Sequence, residues 1–258
     1  MTKIAVAGGT GMVGARLVGA LEARGHDVVT LSRAAGVDLV SGAGLAPAIA
    51  GVDVIVDVTS TVSTKAHDCA EFFGAVARNL QREGAAAGVQ SIVTLSIVGI
   101  DHLTGGGVYG HYVGKLMQEK ETKAGSVPAV ILRATQFHEF AGQLIDWTAK
   151  GPFMPCPRQP SQTVALDTVV EHLVRLGELR TSAGTVTFNL AGPQKALMAD
   201  LVRATARTRG RKLVVIPVWL PGETPRRVRQ GALQAPTDAT IDGPTFDEWL
   251  ERESALPE

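Results

Sequence analysis

Lys3-Ile4-Ala5-Val6-Ala7-Gly8-Gly9-Thr10-Gly11-Met12-Val13-Gly14 is the stretch that decides the fold. Its first five residues form a short apolar run with branched members, which reads as a buried strand. A glycine cluster follows at once. Val13, Leu17 and Leu21 then recur at helical spacing until Gly25 stops the helix. Strand, glycine turn and helix in that order make a phosphate cradle, where backbone N–H groups and the positive end of a helix dipole face one point with no side chain in the way. Gly8 permits the tight turn, Gly11 the close approach of a pyrophosphate, and Gly14 the packing of helix on strand; Thr10, Met12 and Val13 line the same turn. The plainer alternative is a glycine-rich turn that holds nothing, and the place of the motif between strand and helix weighs against it.

Outward from this turn, strands are expected at Val28–Leu31, Val52–Val58, Ser91–Leu95 and Ala129–Leu132. Helical stretches lie between them, as in Phe72, Val76 and Leu80 on one face. Alternating strands and helices predict an α/β fold, a Rossmann-type doubly wound parallel sheet covered on both faces. The second half is less regular. Gly151 to Pro157 reads as a loop that no helix or central strand can hold, because three prolines interrupt it. Leu166–Glu178 reads as a helix, Thr185–Leu190 and Val214–Ile216 as strands, and Thr245 with Glu248 has the spacing of a capping box ahead of Trp249 and Leu250. The expected organisation is an NAD(P)-binding Rossmann domain over residues 1–150 and a smaller substrate-binding region over 151–258, with 166–190 returning to the Rossmann layer.

Composition narrows the function. Hydrophobic residues make up 45% of the 258, enough for a sizeable core, and 25 basic residues balance 25 acidic ones. A neutral chain is not expected to bind nucleic acid through its overall charge. No apolar run approaches the ~18 residues of a membrane span, and glycines interrupt the N-terminal apolar stretch, so no leader peptide is expected. Cys69 and Cys156 lie far apart and read as reduced thiols of a cytoplasmic protein. His67, His102 and His172 have no partners at metal-ligand spacing.

The end of the second strand reports on the cofactor. About 20 residues past the glycines, an acidic side chain marks a ribose 2′-hydroxyl. Leu31-Ser32-Arg33 stands there instead. Arg33 suits a 2′-phosphate and Ser32 can donate to it, so NADP(H) is expected in preference to NAD(H). Asp38 and Leu39 fall where an adenine pocket forms, and Thr59 where backbone groups pass the middle of the cofactor.

These segments resemble the atypical short-chain dehydrogenase/reductases, in particular the NmrA-like NAD(P)H-binding group. The resemblance rests on Gly8–Gly14, Leu31–Arg33, Val93–Ile100, Lys115–Glu119, Leu132–Phe137, Asn189–Pro193 and Thr245–Leu250, in that order. It implies a Rossmann domain with a small substrate domain, NADP(H) as the usual ligand, and Lys115 on the nicotinamide ribose; Ala134 and Phe137, at and just past the end of the next strand, are further candidate cofactor contacts. It also implies a tyrosine four residues before a lysine on one helix, both facing the cofactor, and a serine at the end of a strand that hydrogen-bonds the substrate carbonyl. Ser96 takes the serine position and Lys115 the lysine position.

The departure lies four residues before Lys115, where His111 stands in place of tyrosine. Tyr112 is one position off, and Tyr109 lies six residues before the lysine. Three readings stay open: Tyr112 is the acid, His111 is the acid or base, or the site does no hydride chemistry. Ile97, Gln136, Phe137 and His138 fall at the carboxyl ends of strands, where ligands of open sheets bind, although a histidine in His138's place is as often a core residue. Trp147, Phe153 and Trp219 are candidate walls of an apolar pocket. Asn79 reads as a helix-packing or backbone-bonding residue, with a proton relay as the alternative. The arginines between 203 and 229 read as a solvated face, since no recognition element accompanies them.

The expectation is an NADP(H)-dependent oxidoreductase, monomeric or homodimeric, acting on a small, largely apolar carbonyl or enone substrate, with no metal, nucleic-acid or membrane partner. The alternatives are a non-redox isomerase or cyclase, and a non-catalytic NADP(H)-binding redox sensor.

Overall fold

The computed structural model describes residues 1–103, 109–179 and 184–255. Strand β1 (Lys3–Ala7) enters the centre of a sheet, and helix α1 (Met12–Ala23) leaves it through the glycine turn. Strand β2 (Asp27–Leu31) and strand β3 (Val54–Asp57) flank β1, both parallel to it. Between these two strands lies the short helix α2 (Leu45–Ala48). The long helix α3 (Ala66–Ala87) leads to β4 (Ser91–Ile97), and α4 (Gly110–Ala124) leads to β5 (Ala129–Ala134). Later in the chain come α5 (Phe140–Thr148), β6 (Phe153–Pro157), β7 (Pro160–Ser161), α6 (Leu166–Glu178) and β8 (Thr185–Ala191). The remaining elements are β9 (Ala196–Leu197), α7 (Met198–Thr208), β10 (Val214–Val218), α8 (Glu223–Arg229), β11 (Thr240–Ile241) and α9 (Phe246–Ala255).

Seven strands form one sheet in the order β11-β8-β5-β4-β3-β1-β2. The reversal of direction from β1 is the doubly wound arrangement, and it puts the carboxyl end of β1 at a crossover point. All four residues of β3 and six of the seven in β4 are buried, as befits central parallel strands.

The chain divides into two compact units. Met1–Ser96, Tyr109–Arg133 and Val169–Phe188 make the first; Ile97–Val108, Ala134–Thr168 and Asn189–Glu258 make the second. The first has a core of Leu31, Leu45, Ile55, Val76, Leu80 and Ile92. Here α3 and α4 pack closely because Gly114 carries no side chain. A Cβ there would collide with the Phe73 ring and the Cys69 backbone. That approach brings the buried face of α4, including Lys115, against α3.

The second unit has its own core, with Met154, Cys156, Val202 and Phe246 at its centre. Residues 153–157, expected as loop, form β6, which pairs in parallel with β10. In a two-stranded sheet both strands are edges, so the missing N–H groups of Pro155 and Pro157 are tolerated. Met154 and Cys156 turn inward while Phe153 and Pro155 turn out, the alternation of a half-covered strand. Helix α9 starts with the expected capping box: Glu248 N donates to Thr245 Oγ1 at 3.2 Å and Thr245 N to Glu248 Oε2 at 2.8 Å.

Candidate active site

The glycine turn is the first component. Gly8 has φ +82°, in the left-handed region, and a Cβ there would sit 3.0 Å from Thr59 Cα. Both facts demand glycine. Gly14 is demanded more strongly, since its Cβ would fall on the Gly8 carbonyl and 2.6 Å from Gly9 Cα. Gly11 differs. Its φ of −81° suits any residue, and a Cβ would meet only the Gly8 carbonyl oxygen, at 3.3 Å. The protein's own packing leaves the space over Gly11 open. Among the described residues no side chain caps α1 from Gly11, and no acidic residue stands in its first turn, so the positive end of the helix dipole lies at this turn.

Beside it, Ser32 caps a short 3-10 turn by accepting from Ala35 N at 3.3 Å, and Arg33 is exposed. Asp38 accepts from Val40 N at 2.9 Å and from Ser41 N at 3.5 Å. These bonds, with help from Arg33, hold its carboxyl below the usual range. Asn79 donates to the carbonyls of Leu39 and Val40 at 2.9 and 2.8 Å, tying this loop to α3. Leu39 packs on the core beneath.

The face of α4 is the second component. Lys115 is 5% exposed, and its amine donates to Thr59 O at 3.1 Å, Leu95 O at 3.0 Å and Gln118 Oε1 at 2.9 Å. Three protons meet three acceptors, so the ammonium is fully satisfied. Its Nζ also lies 4.7 Å from the Phe73 ring centre. Burial pushes the amine down to about 8, against the opposing pull of Asp57 and Glu119. Gln118 continues the chain of bonds, donating to Asp57 Oδ2 at 2.6 Å. Asp57 Oδ1 accepts from Thr59 N at 3.0 Å and Thr59 Oγ1 at 2.7 Å. Thr59 is therefore fixed from both sides, its carbonyl by Lys115 and its hydroxyl and amide by Asp57.

Ser96 does not present its hydroxyl to open space. It is 2% exposed and donates to Glu119 Oε1 at 2.6 Å. Glu119 is gripped by Arg133 through Nε at 2.8 Å and Nη2 at 2.7 Å, and by Lys123 at 3.2 Å. Burial alone would raise the Glu119 carboxyl, but Arg133, Ser96 and Lys123 together hold it down.

His111 is partly buried, edge-on to Phe73 at 5.3 Å. Burial first, and Lys115 second, push its imidazole down to about 4, so the ring is neutral near pH 7. Tyr112 sits edge-on to Tyr109 at 5.5 Å, and burial raises its phenol to about 12. Tyr109 itself is half-exposed at the start of α4.

Within the second unit, Ile97, Gln136 and Phe137 are partly buried and Ala134 is buried. Phe137 pairs with Val164 in an isolated parallel bridge. Both amide atoms of Gln136 are inaccessible and have no hydrogen-bond partner among the described residues. His138, expected near a substrate, is a core residue. It is 0% exposed, with Nδ1 at 2.7 Å from Thr163 Oγ1 and Nε2 at 3.3 Å from the Pro244 carbonyl. Phe246 and Trp249 stack around it, each 5.3 Å away. The expected pocket walls lie outside: Trp147, Phe153 and Trp219 are more than half exposed.

Sequence reasoning missed Asp57, Gln118, Glu119 and Arg133 as parts of the site. The signal was Lys115 followed by Gln118 and Glu119, three and four residues on, hence on one helix face. Among the described residues no cluster of His, Cys, Asp and Glu forms a metal site, and no helix is long and apolar enough to cross a membrane.

Residues 4–98 match the profile of the NAD dependent epimerase/dehydratase family. No curated protein matches the chain. Among solved structures, the dTDP-4-dehydrorhamnose reductase of Bacillus anthracis str. Ames, in complex with NADP, superposes with TM-score 0.71 at 14% identity, covering 98% of both chains. A short-chain dehydrogenase/reductase superfamily protein from Agrobacterium tumefaciens with bound NAD gives 0.69 at 20% identity, covering 98% of this chain and 96% of that one. The UDP-N-acetylglucosamine 4-epimerase of Bacillus cereus gives 0.66 at 16% identity, over 95% and 99%. The chain thus has the fold of the short-chain dehydrogenase/reductases, and its first four sheet strands carry the sequence pattern of the NAD dependent epimerase/dehydratase family.

Proposed function

We propose that the protein is an NADP(H)-dependent oxidoreductase that reduces a small, largely apolar carbonyl or enone compound. The observation that carries the dinucleotide half of this reading is Gly11: a glycine stands where backbone conformation does not require one, at the uncapped start of α1, beside open space. A pyrophosphate over that turn explains the missing side chain. Arg33 is exposed and free to meet a 2′-phosphate, which favours NADP(H). The structural neighbours include one with NADP and one with NAD, so they support a nicotinamide cofactor without choosing between the two. The NmrA-like resemblance supports the same choice as Arg33.

Bound NADPH would supply the hydride, and the alkoxide or enolate so formed would take its proton from Tyr112 or from solvent. His111, one helical turn before Lys115 and neutral near pH 7, suits a hydrogen bond from its N–H to a substrate oxygen rather than proton transfer from an imidazolium. Tyr112, with its phenol held protonated, is the alternative donor. Lys115 keeps Thr59 in place and contributes positive charge without releasing its own bonds.

The hydrogen bonds that close Ser96 and Lys115 favour a second reading. In that reading the protein binds NADP(H) and reports its redox state without turning over a substrate. Titration with NADPH, NADH, NADP⁺ and NAD⁺, followed by absorbance of the reduced nicotinamide with aldehydes, ketones, quinones and enones, tests both. Substrate-dependent oxidation of NADPH supports the reductase, and tight binding without oxidation supports the sensor. Absence of binding overturns both.

A further inference from the structure

Among the described residues, the second unit carries an exposed apolar face. In β10, Val214 and Ile216 point outward, and the parallel register sets them beside Phe153 and Pro155 of β6, which also point outward. Trp219 and Leu220 extend this surface past the end of β10, 67% and 47% exposed. Isolated exposed apolar residues are ordinary, but neighbours in strand register form a patch.

Cations stand in the chain just before and just after this strip. Between Arg203 and Arg229 stand eight basic residues and one acidic residue, Glu223, in a chain of zero formal net charge. Directly before β10, a groove of about 420 Å³ is lined by Arg203, Arg207, Arg211 and Lys212. Asp200 pairs with Arg203, and Asp146 with Arg209 and Arg211. Among the described residues, no acid pairs with Arg207 or Lys212. After β10, the Arg229 guanidinium lies 4.0 Å over the Trp219 ring and donates to the Leu220 carbonyl at 2.7 Å. That stacking fixes the indole in its exposed position.

We propose that this face docks on an anionic lipid surface. An apolar strip carrying a tryptophan and flanked by cations matches the boundary between acyl chains and acidic headgroups. A second copy docking through the same face would press one set of cations on the other, which disfavours a symmetric dimer here. A nucleic acid would use the cations but finds nothing to read in Val214, Ile216 and Leu220. No membrane-spanning helix is needed for such docking.

Vesicle sedimentation of the full chain tests the proposal. Binding to phosphatidylcholine vesicles containing phosphatidylserine, absent with phosphatidylcholine alone and weakened by salt, is the expected result. Each cation near the surface is worth about 1 kcal/mol, roughly fivefold, so the double variant Arg207→Gln/Lys212→Gln should bind about 30-fold more weakly. Ile216→Ser, an exposed change that keeps the charge, should weaken binding as well, with circular dichroism unchanged. Equal binding to both vesicle types overturns the proposal, as does binding that neither variant alters. A dimer in light scattering that Ile216→Ser dissociates assigns the face to a second copy and overturns it too.

Discussion

Gly11 and Gly14 stand three residues apart and answer to different demands. Gly14 serves the fold, because a methyl group there collides with backbone on the facing turn. Gly14→Ala should therefore cost about 3 kcal/mol of stability, measured by denaturant melts. Gly11 is the residue that the proposed dinucleotide requires. Gly11→Val should lose only about 1 kcal/mol, the ordinary cost of a poor helix cap, while abolishing binding of NADPH and NADH alike. Arg33→Ala should separate the two cofactors: NADPH binding should fall roughly ten- to a hundredfold, the worth of a charged hydrogen bond, with NADH unchanged. Equal losses for both would remove the 2′-phosphate from this residue. His138 offers a test of the core. Burial holds it down at about 4, so between pH 6.5 and 4 the unfolded chain takes up a proton that the folded chain refuses. Stability then falls as pH falls through that window, by about 3 kcal/mol for this one group. His138→Gln should flatten the pH dependence of the melting temperature between those values; an unaltered slope would show that the ring titrates freely.

At the scale of elements, α4 is where the sequence is most and least legible. The four-residue spacing from His111 to Lys115 is visible in the chain and places both on one face. The partners of Lys115 are not visible. Gln118 bonds to Asp57 across 61 residues of sequence, a contact between α4 and the end of β3 that no local spacing reveals. Ser96 misleads for a similar reason: its position at the end of β4 is plain, but its hydroxyl is taken by Glu119, which Arg133 holds from a strand further on. Residues 153–157 hide a strand because their prolines are tolerable only at an edge, and an edge is a property of pairing. The capping box of α9 is local, and so it could be read directly. Thr245→Ala should cost about 1 kcal/mol in thermal or denaturant unfolding.

At the scale of the whole chain, alternation of strands and helices sufficed to predict the doubly wound sheet, because parallel strands joined by helices have few arrangements open to them. The reaction is less legible, since this fold hosts many chemistries and function resides in side chains that can change. Two of those side chains, Ser96 and Lys115, have their donors closed by protein acceptors, and His111 replaces the expected tyrosine. Comparison of His111→Ala with Tyr112→Phe, once a substrate is found, should show the larger loss of kcat in the histidine variant, about 100-fold for loss of a general acid or its hydrogen bond. No loss in either would show that neither side chain takes part.

The proposed function stands on the turn from Gly8 to Gly14 holding a nicotinamide dinucleotide. Calorimetric titration of NADPH into the wild-type protein and into a folded Gly11→Val variant decides whether it does. One site per chain in the wild type and none in the variant is the expected result. Binding that survives in the folded variant, or its absence from the wild type, would remove the dinucleotide from this turn.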